Sequence, residues 1–337
     1  MIIADYTLEE LKELMKSYNE PAYRARQLFE AVYEGKCIDE ITNIGKGLKD
    51  KIKYLTGVGI DKKFVSSDGT VKYLFKLCDN ALIEGVFMRY KHGNTICIST
   101  QAGCRMNCLF CASGISGLER NLSAGEMVGQ VVAVNRDNGG TAKQRAVKNI
   151  VLMGSGEPLD NYDNTLKFIR LITDENSINI GARNISLSTC GLVDKMYKLA
   201  EENIQINLTL SLHAPNDEIR NNIMPVNKAY GVKALIKALR NYYEKTGRRV
   251  IIEYALIDGI NDTDDNAAEL AELVKGFPCH INLIRLNYVH EKKLRGSKRV
   301  KEFMQELKRR NVSVTLRRSM GGDIQGACGQ LRSKYAH

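Results

Sequence analysis

The sequence predicts an α/β protein: a partial (βα)6 TIM-like barrel carrying a small N-terminal helical domain and a β-hairpin extension. Three observations lead there. Apolar residues recur at helical spacing up to Tyr54, alternate with polar ones between Phe64 and Tyr90, and after His92 fall into six successive strand-then-helix patterns. Such alternation builds a parallel sheet with helices packed against it. Eight units would close a full barrel, and this chain ends before the eighth. The expected division is a helical domain at 1–60, the hairpin extension at 61–90, the partial barrel at 91–319 and a C-terminal loop and tail at 320–337.

Thr7 and Glu10 form a capping box ahead of the stripe Leu8, Leu11, Leu14 and Met15, which predicts the first helix. Pro21 suits the first turn of a second helix through Arg24, Leu28, Phe29 and Val32, and a third helical piece is expected over 41–54. Lys and Arg on the outer faces of this lobe suit a polyanion or simply solvent. After the Asp68-Gly69 turn, Val71, Tyr73, Phe75 and Leu77 alternate with polar residues, and a second run, 81–90, follows Asp79-Asn80. Barrel strands are expected at 95–100, 149–153, 184–188, 205–211, 250–256 and 280–286, with a last strand at 312–316. Ser123 and Glu126 cap the first barrel helix, and Val232, Leu235, Ile236 and Leu239 give the clearest i, i+3, i+4, i+7 repeat.

A 337-residue chain with 44% hydrophobic residues can bury a large core plus a smaller one. No apolar run approaches the length of a membrane span, and the start, Met1-Ile-Ile-Ala-Asp-Tyr, lacks the basic-then-apolar pattern of a secretion signal. A cytoplasmic protein with no membrane partner is expected. Nine cysteines in that compartment argue for metal ligands, catalytic thiols or small buried hydrophobes rather than a disulfide framework. The net charge of +10 is localised: residues 292–337 hold 13 Lys/Arg against 3 Asp/Glu, and the rest of the chain holds 36 of each sign. The stretch with Lys292, Lys293, Arg295, Lys298, Arg299, Lys308, Arg309, Arg310, Arg317 and Arg318 offers a basic face for nucleic-acid phosphates, although basic surface helices also occur where nothing binds.

The chemistry centres on Cys104, Cys108 and Cys111, a C-x3-C-x2-C array just after the first barrel strand, where open α/β sheets bind ligands. Three thiolates with no local fourth ligand leave one coordination position open. A structural zinc site recruits a fourth Cys or His, and the next candidates are the distant Cys190 and His213. A 4Fe-4S cluster with one free iron can instead chelate the amino and carboxyl groups of S-adenosylmethionine, and the spacing resembles the signature of the radical-SAM superfamily. Met153-Gly-Ser-Gly156-Glu157-Pro158 ends the second strand, where glycine allows close backbone approach and the carboxylate suits a ligand ammonium. Ser188, then Ser211, Leu212 and His213, then Asn287 end further strands at the same rim. Cys328 lies among glycines with little packing to make it structural, so it reads as a reactive thiol. Cys97, inside a strand, becomes its candidate partner only because a mobile Cys328 exists. Cys37, Cys78, Cys190 and Cys279, and the lone His92, His280 and His290, read as structural or incidental.

Taken together these residues closely resemble the RlmN/Cfr family of radical-SAM RNA adenine methyltransferases. The likeness runs over nearly the whole chain: Tyr-Arg-Ala-Arg-Gln-Leu-Phe in the helical lobe, the 97–111 cysteine block, Gly-Leu-Glu-Arg-Asn-Leu (117–122), Gly-Glu-Pro-Leu-Asp-Asn-Tyr-Asp-Asn (156–164), Ser-Leu-His-Ala-Pro-Asn (211–216) and Ala-Cys-Gly-Gln-Leu around Cys328. The resemblance implies a radical-SAM barrel with an RNA-binding accessory domain. It implies a 4Fe-4S cluster on Cys104, Cys108 and Cys111, and two S-adenosylmethionine molecules per turnover, held by Gly156, Glu157, Ser188, Ser211, Leu212, His213 and Asn287. One methylates Cys328; the second yields a 5′-deoxyadenosyl radical that activates the Cys328 methyl group for attack on an adenine ring carbon. Cys97 would help remove the ring proton and resolve the protein-RNA adduct through a disulfide with Cys328, and Glu84 matches the family position assigned as proton acceptor.

Within the family the RlmN type is favoured, implying methylation of adenosine C2 in 23S rRNA and in tRNA next to the anticodon, with a cellular electron donor, a thiol reductant and a monomeric enzyme. Three departures stand out: Ser155 where Met is usual, Gln325-Gly326 for the common Asp-Ala, and Tyr288 after Asn287 where Pro is usual. Two alternatives remain: Cfr-type C8 methylation conferring antibiotic resistance, which uses the same catalytic residues, and a non-enzymatic RNA-binding protein with a metal site.

Overall fold

The computed structural model describes residues 1–332, so residues 333–337 of the expected C-terminal tail lie outside the described residues. The chain opens with helices α1 (Leu8–Ser17), α2 (Tyr23–Tyr33) and α3 (Lys46–Lys51). The capping box forms as its residues dictate: Thr7 Oγ1 accepts from Glu10 N at 3.2 Å and the Glu10 carboxylate accepts from Thr7 N at 2.7 Å. Leu8, Leu11 and Met15 then point into the core. The third helical piece is shorter than 41–54, because Gly45 caps it and Ile52 turns to extended backbone to bury its side chain.

Strands β1 (Val58–Val65), β2 (Val71–Leu77) and β3 (Leu82–Met88) follow as an antiparallel group, with β3 antiparallel to β4 (Thr95–Ile98). The β2–β3 hairpin extends the main sheet as the alternation predicts. Strand β1 is an addition. Its Asp61-Lys62-Lys63 breaks the alternation, its ladder is bulged between Ile60 and Lys62, and most of it is exposed, as befits an edge.

A short second sheet comes next, β5 (Gln101–Gly103) paired with β6 (Leu118–Asn121). The βα repeats then run α4 (Ala124–Asp137), β7 (Asn149–Leu152), α5 (Tyr162–Thr173), β8 (Ile185–Thr189), α6 (Val193–Glu201), β9 (Asn207–Ser211), α7 (Asp217–Ile223), α8 (Val232–Thr246), β10 (Val250–Leu256), α9 (Asp264–Leu273), β11 (Cys279–Arg285), α10 (Val300–Arg309) and β12 (Val314–Leu316). The main sheet has the order β1-β2-β3-β4-β7-β8-β9-β10-β11-β12, parallel from β4 onward. One cavity is lined in turn by Thr95, Asn149, Ser186, Asn207, Ile251, Asn282 and Thr315, so the parallel strands curl around a lumen. β1 and β12 stay as unjoined edges of this partial barrel.

The helices cover the outer face. Ser123 and Glu126 form the expected box at the start of α4, which buries Met127, Val128, Val131 and Val134, and α8 buries Val232, Leu235, Ile236 and Leu239. Each such side chain contributes about 1.5–3 kcal/mol on leaving water. Among the described residues no helix is long and apolar enough to cross a membrane.

Candidate active site

The β5–β6 pair closes the base of the cysteine loop. Cys104 N donates to Gly117 O at 2.9 Å, and Gly103, at φ +80°, would place a Cβ only 2.0 Å from that oxygen, so no larger residue fits. Further along, Leu109 N bonds Ile223 O at 2.9 Å, and Arg105 clamps Asp160, which also accepts from Gln101 Nε2 at 2.9 Å. Cys104, Cys108 and Cys111 consequently share one wall of a cavity at the carboxyl ends of the strands. Burial pushes the Cys104 thiol up to about 12 and Cys108 higher still, with neighbouring thiolates adding to the effect. Such thiols ionise when a cation joins them, so the donor set suits iron. Among the described residues no three His, Cys, Asp or Glu side chains converge on a single metal-sized point. A cubane takes one thiolate on each of three irons, so its cysteines stand apart.

Gly156, Glu157, Ser188, Ser211, His213 and Asn287 line the same cavity, and Cys328 with Gly329 closes it. Gly156 has φ +108° and lies where a Cβ would meet Gln101 N at 2.8 Å. The buried Glu157 carboxylate accepts Leu159 N at 3.0 Å on one oxygen and Cys190 N at 2.8 Å on the other, and burial raises its pKa. His213 Nδ1 accepts Ala255 N at 2.9 Å, which leaves the ring proton on Nε2; burial depresses its pKa to about 3, so the ring is neutral. The Ser188 and Ser211 hydroxyls pair at 3.1 Å. Leu212 is placed differently: its side chain is fully buried in the core and only its backbone joins the rim, its N–H donating to Glu253 O at 3.1 Å and its carbonyl accepting from Arg220.

Cys328 belongs to two cavities. The second adjoins the first and is lined by Cys97, Met88, Tyr90, Met153, Arg317 and Met320, with Met153, Ile284, Asn287 and Cys328 common to both. The two thiols are free, and burial together with the neighbouring Cys328 sulfur pushes Cys97 up to about 12. Burial also raises Cys328, and the Arg317 guanidinium pulls it back. The glycine-flanked loop is well tied: Asn287 Nδ2 donates to Cys328 O at 3.1 Å, Ala112 N to Gly329 O at 2.7 Å and Ser113 Oγ to Leu331 O at 2.8 Å. At its start Asp323 accepts from Ser66 Oγ at 2.6 Å and Ser67 N at 3.1 Å, while Gly321 N donates to Asp68 at 3.0 Å. The β1–β2 turn thereby holds the start of the segment carrying Cys328.

Glu84 lines neither cavity. It sits on the β3 face of Val86, the ladder partner of Cys97, fully buried, paired with Lys72 at 3.0 Å and accepting Arg332 N at 2.7 Å. Arg317 departs from the basic face assigned to it, because it turns inward to Glu253 at 2.5 Å; its charge is committed inside the barrel rather than offered to phosphates. Sequence reasoning missed three further groups. Cys190 lines the first cavity. Glu253 lies on its floor and joins it, through Arg317, to the second. Arg220, with no exposed surface, donates to Cys190 O at 2.6 Å, Leu212 O at 2.9 Å, Ser211 O at 3.2 Å and Asn227 Oδ1 at 2.9 Å, fastening the ends of β8 and β9. The cysteine spacing and the glycine-carboxylate turn had sequence signals; these long-range pairings had none.

An array of three thiols beneath a rim suited to a zwitterion is the arrangement of radical S-adenosylmethionine enzymes, which use a 4Fe-4S cluster and S-adenosylmethionine, and residues 98–271 match the Radical SAM superfamily. Residues 2–58 match the ribosomal RNA large subunit methyltransferase N-terminal domain. The chain is 51% identical over 339 residues to the probable dual-specificity RNA methyltransferase RlmN of Alkaliphilus oremlandii (strain OhILAs), covering 98% of this chain and 96% of the relative. The corresponding protein of Clostridium tetani (strain Massachusetts / E88) is 49% identical, with 99% and 96% covered. A crystal structure of a radical SAM methyltransferase from Sphaerobacter thermophilus superposes with a TM-score of 0.94 at 44% identity, covering 99% of this chain and 100% of that one. The chain belongs to the RlmN family of radical-SAM RNA methyltransferases.

Proposed function

We propose that this enzyme methylates C2 of adenosine in both 23S rRNA and tRNA, next to the anticodon in the latter, and that the methyl group travels on Cys328. The observation that carries the reading is the position of Cys328 between two cavities, one walled by the three cysteines and the rim, the other holding Cys97. The dual specificity in the name of its relatives supports the two RNA classes.

Cys104, Cys108 and Cys111 would hold the cluster, and Gly156, Glu157, Ser188, Ser211, Leu212, His213 and Asn287 the S-adenosylmethionine; together these groups supply the one-electron cleavage that makes a methyl hydrogen of S-methylated Cys328 abstractable. In its own right Cys328 gives up its proton, and its sulfur takes a methyl group from a first S-adenosylmethionine by displacement, a step the Arg317 cation favours. The residue then presents that carbon to the adenine. Glu84 is the proposed acceptor of the ring proton. Cys97, as its thiolate, attacks the sulfur of Cys328; the sulfur–carbon bond breaks with its electron pair on the carbon, which takes a proton to complete the methyl group, and the disulfide left behind is reopened by a thiol reductant. Asn287 positions the loop throughout by holding the Cys328 carbonyl. Residues 1–60 are proposed as the RNA-binding accessory domain, 61–90 as the sheet extension, 91–319 as the barrel, and 320–337 as the segment bearing the thiol. The enzyme is proposed to act as a monomer, fed by a cellular electron donor.

The test is digestion of both RNAs after reaction and location of the new methyl group by mass spectrometry, with 2-methyladenosine expected from each. A C8 product would replace this reading with the Cfr-type one. Cys97→Ala should trap a covalent protein-RNA adduct and Cys328→Ala should give none.

A further inference from the structure

The loop after β11 fixes its backbone and leaves one ring in solvent. Tyr288 is 63% exposed, and no Phe or Tyr ring among the described residues is more so. Yet the chain around it is closely held. Asn287 bridges Cys328 O at 3.1 Å and Ser319 Oγ at 2.7 Å, Tyr288 O accepts Gln330 Nε2 at 2.9 Å, and Glu291 takes both arms of the Arg332 guanidinium at 2.7 and 2.9 Å. These bonds lace the loop to the segment that carries Cys328, so the backbone of Tyr288 keeps a set position relative to that segment. Its ring neighbour is His290, roughly perpendicular to it with centroids 6.4 Å apart, and most of the tyrosine ring is open to solvent.

The charge around the ring points to one kind of partner. Lys292, Lys293, Arg295 and Arg318 carry no carboxylate partner within salt-bridge distance among the described residues, and the last three are exposed. An exposed ring whose own loop carries uncommitted cations, with Arg318 next to the Ser319 that bonds Asn287, is a combination that suits unpaired nucleic acid: the cations meet phosphates and the ring meets a base. A base that must reach Cys328 leaves its stack, and the nucleotide beside it loses a stacking neighbour.

We propose that Tyr288 stacks on the nucleobase flanking the target adenine and so positions RNA for both substrate classes. This rests on the RNA methylation reading above and deepens it by naming the surface that receives the flanking base. Tyr288 lines neither cavity, so methylation of Cys328 itself proceeds without it.

The experiment compares Tyr288→Ala and Tyr288→Phe with the parent as reconstituted holoenzymes. Three quantities are measured: the dissociation constant for an rRNA fragment and for tRNA by filter binding, KM and kcat for each RNA, and S-methylation of Cys328 with S-adenosylmethionine and no RNA. Loss of one stacked base is expected to raise Kd and KM about ten-fold in Tyr288→Ala, with kcat nearly unchanged. Tyr288→Phe keeps the ring and should match the parent, and all three should S-methylate Cys328 equally. Unchanged Kd and KM in Tyr288→Ala would overturn the proposal. So would an equal loss in Tyr288→Phe, which would assign the effect to the hydroxyl, or loss of S-methylation in Tyr288→Ala, which would assign it to the Cys328 loop. If the parent methylates neither Cys328 nor RNA, the functional reading fails, while the Kd comparison still decides whether the ring binds RNA.

Discussion

Replacing Arg220 with Met removes a buried cation that fastens the rim from within. The guanidinium has no exposed surface and donates four hydrogen bonds, three to carbonyl oxygens at the ends of β8 and β9 and one to Asn227. Each acceptor left without its donor in a dry interior costs about 1–3 kcal/mol. Against this, the variant no longer pays to desolvate a cation, and Met fills much of the same volume. The stranded acceptors are neutral, so the net loss should be about 3 kcal/mol, the cost of the unmade hydrogen bonds less the relief of the cation's desolvation. Because Ser211, Leu212 and Cys190 supply the carbonyls, the rim should loosen with the fold. Urea unfolding followed by circular dichroism reads the first effect, and equilibrium binding of S-adenosylmethionine to folded protein reads the second. A variant within about 0.5 kcal/mol of the parent, with unchanged affinity for S-adenosylmethionine, would refute the role given to Arg220, since that change is no more than an ordinary surface substitution produces.

Three further outcomes follow from the same geometry. The folded pKa of His213 is depressed from 6.5 to about 3, so the unfolded chain binds the extra proton between those values. Its contribution to stability is complete above about pH 6.5 and shrinks as pH falls, by up to about 1.4 kcal/mol per unit; His213→Gln should remove that part of the slope between urea midpoints measured at pH 7 and pH 5.5. Gly156→Ala forces a Cβ to within 2.8 Å of Gln101 N at φ +108°, a strain of about 1–3 kcal/mol. Its S-adenosylmethionine dissociation constant should rise about ten-fold by calorimetry. Asp323→Ala releases the Cys328 segment from Ser66 and Ser67, and peptide mapping should show Cys328 alkylated several-fold faster while Cys190 is unaffected.

The parts of this molecule that were legible in the sequence are those set by local physics. Both capping boxes, the α8 stripe and the strand-helix alternation each state their structure within a few residues, and the cysteine spacing states its chemistry in eight (104–111). Strand β1 was hidden because an exposed edge strand has no buried face to impose alternation. The third helix was overestimated because Gly45 and Ile52 obey caps and burial rather than the apolar period. Arg317 was grouped with outward cations because a charge count has no direction; only folding brings Glu253 to it from 64 positions away. Arg220 serves carbonyl groups, which every residue has, so no pattern of side chains marks it. The link between Asp323 and the Ser66–Asp68 turn likewise spans more than 250 residues.

The most direct test of the central claim follows a labelled methyl group. The reconstituted enzyme is first given S-adenosylmethionine bearing a deuterated methyl group without RNA, and peptide mass spectrometry asks which residue carries it. The label should appear on Cys328 alone. After RNA and unlabelled S-adenosylmethionine are added with a reductant, the first adenosine product should carry the carbon from Cys328 with two of its deuterium atoms. Transfer of an intact trideuterated methyl group, or labelled adenosine from Cys328→Ala, would contradict carriage of the methyl group by this thiol.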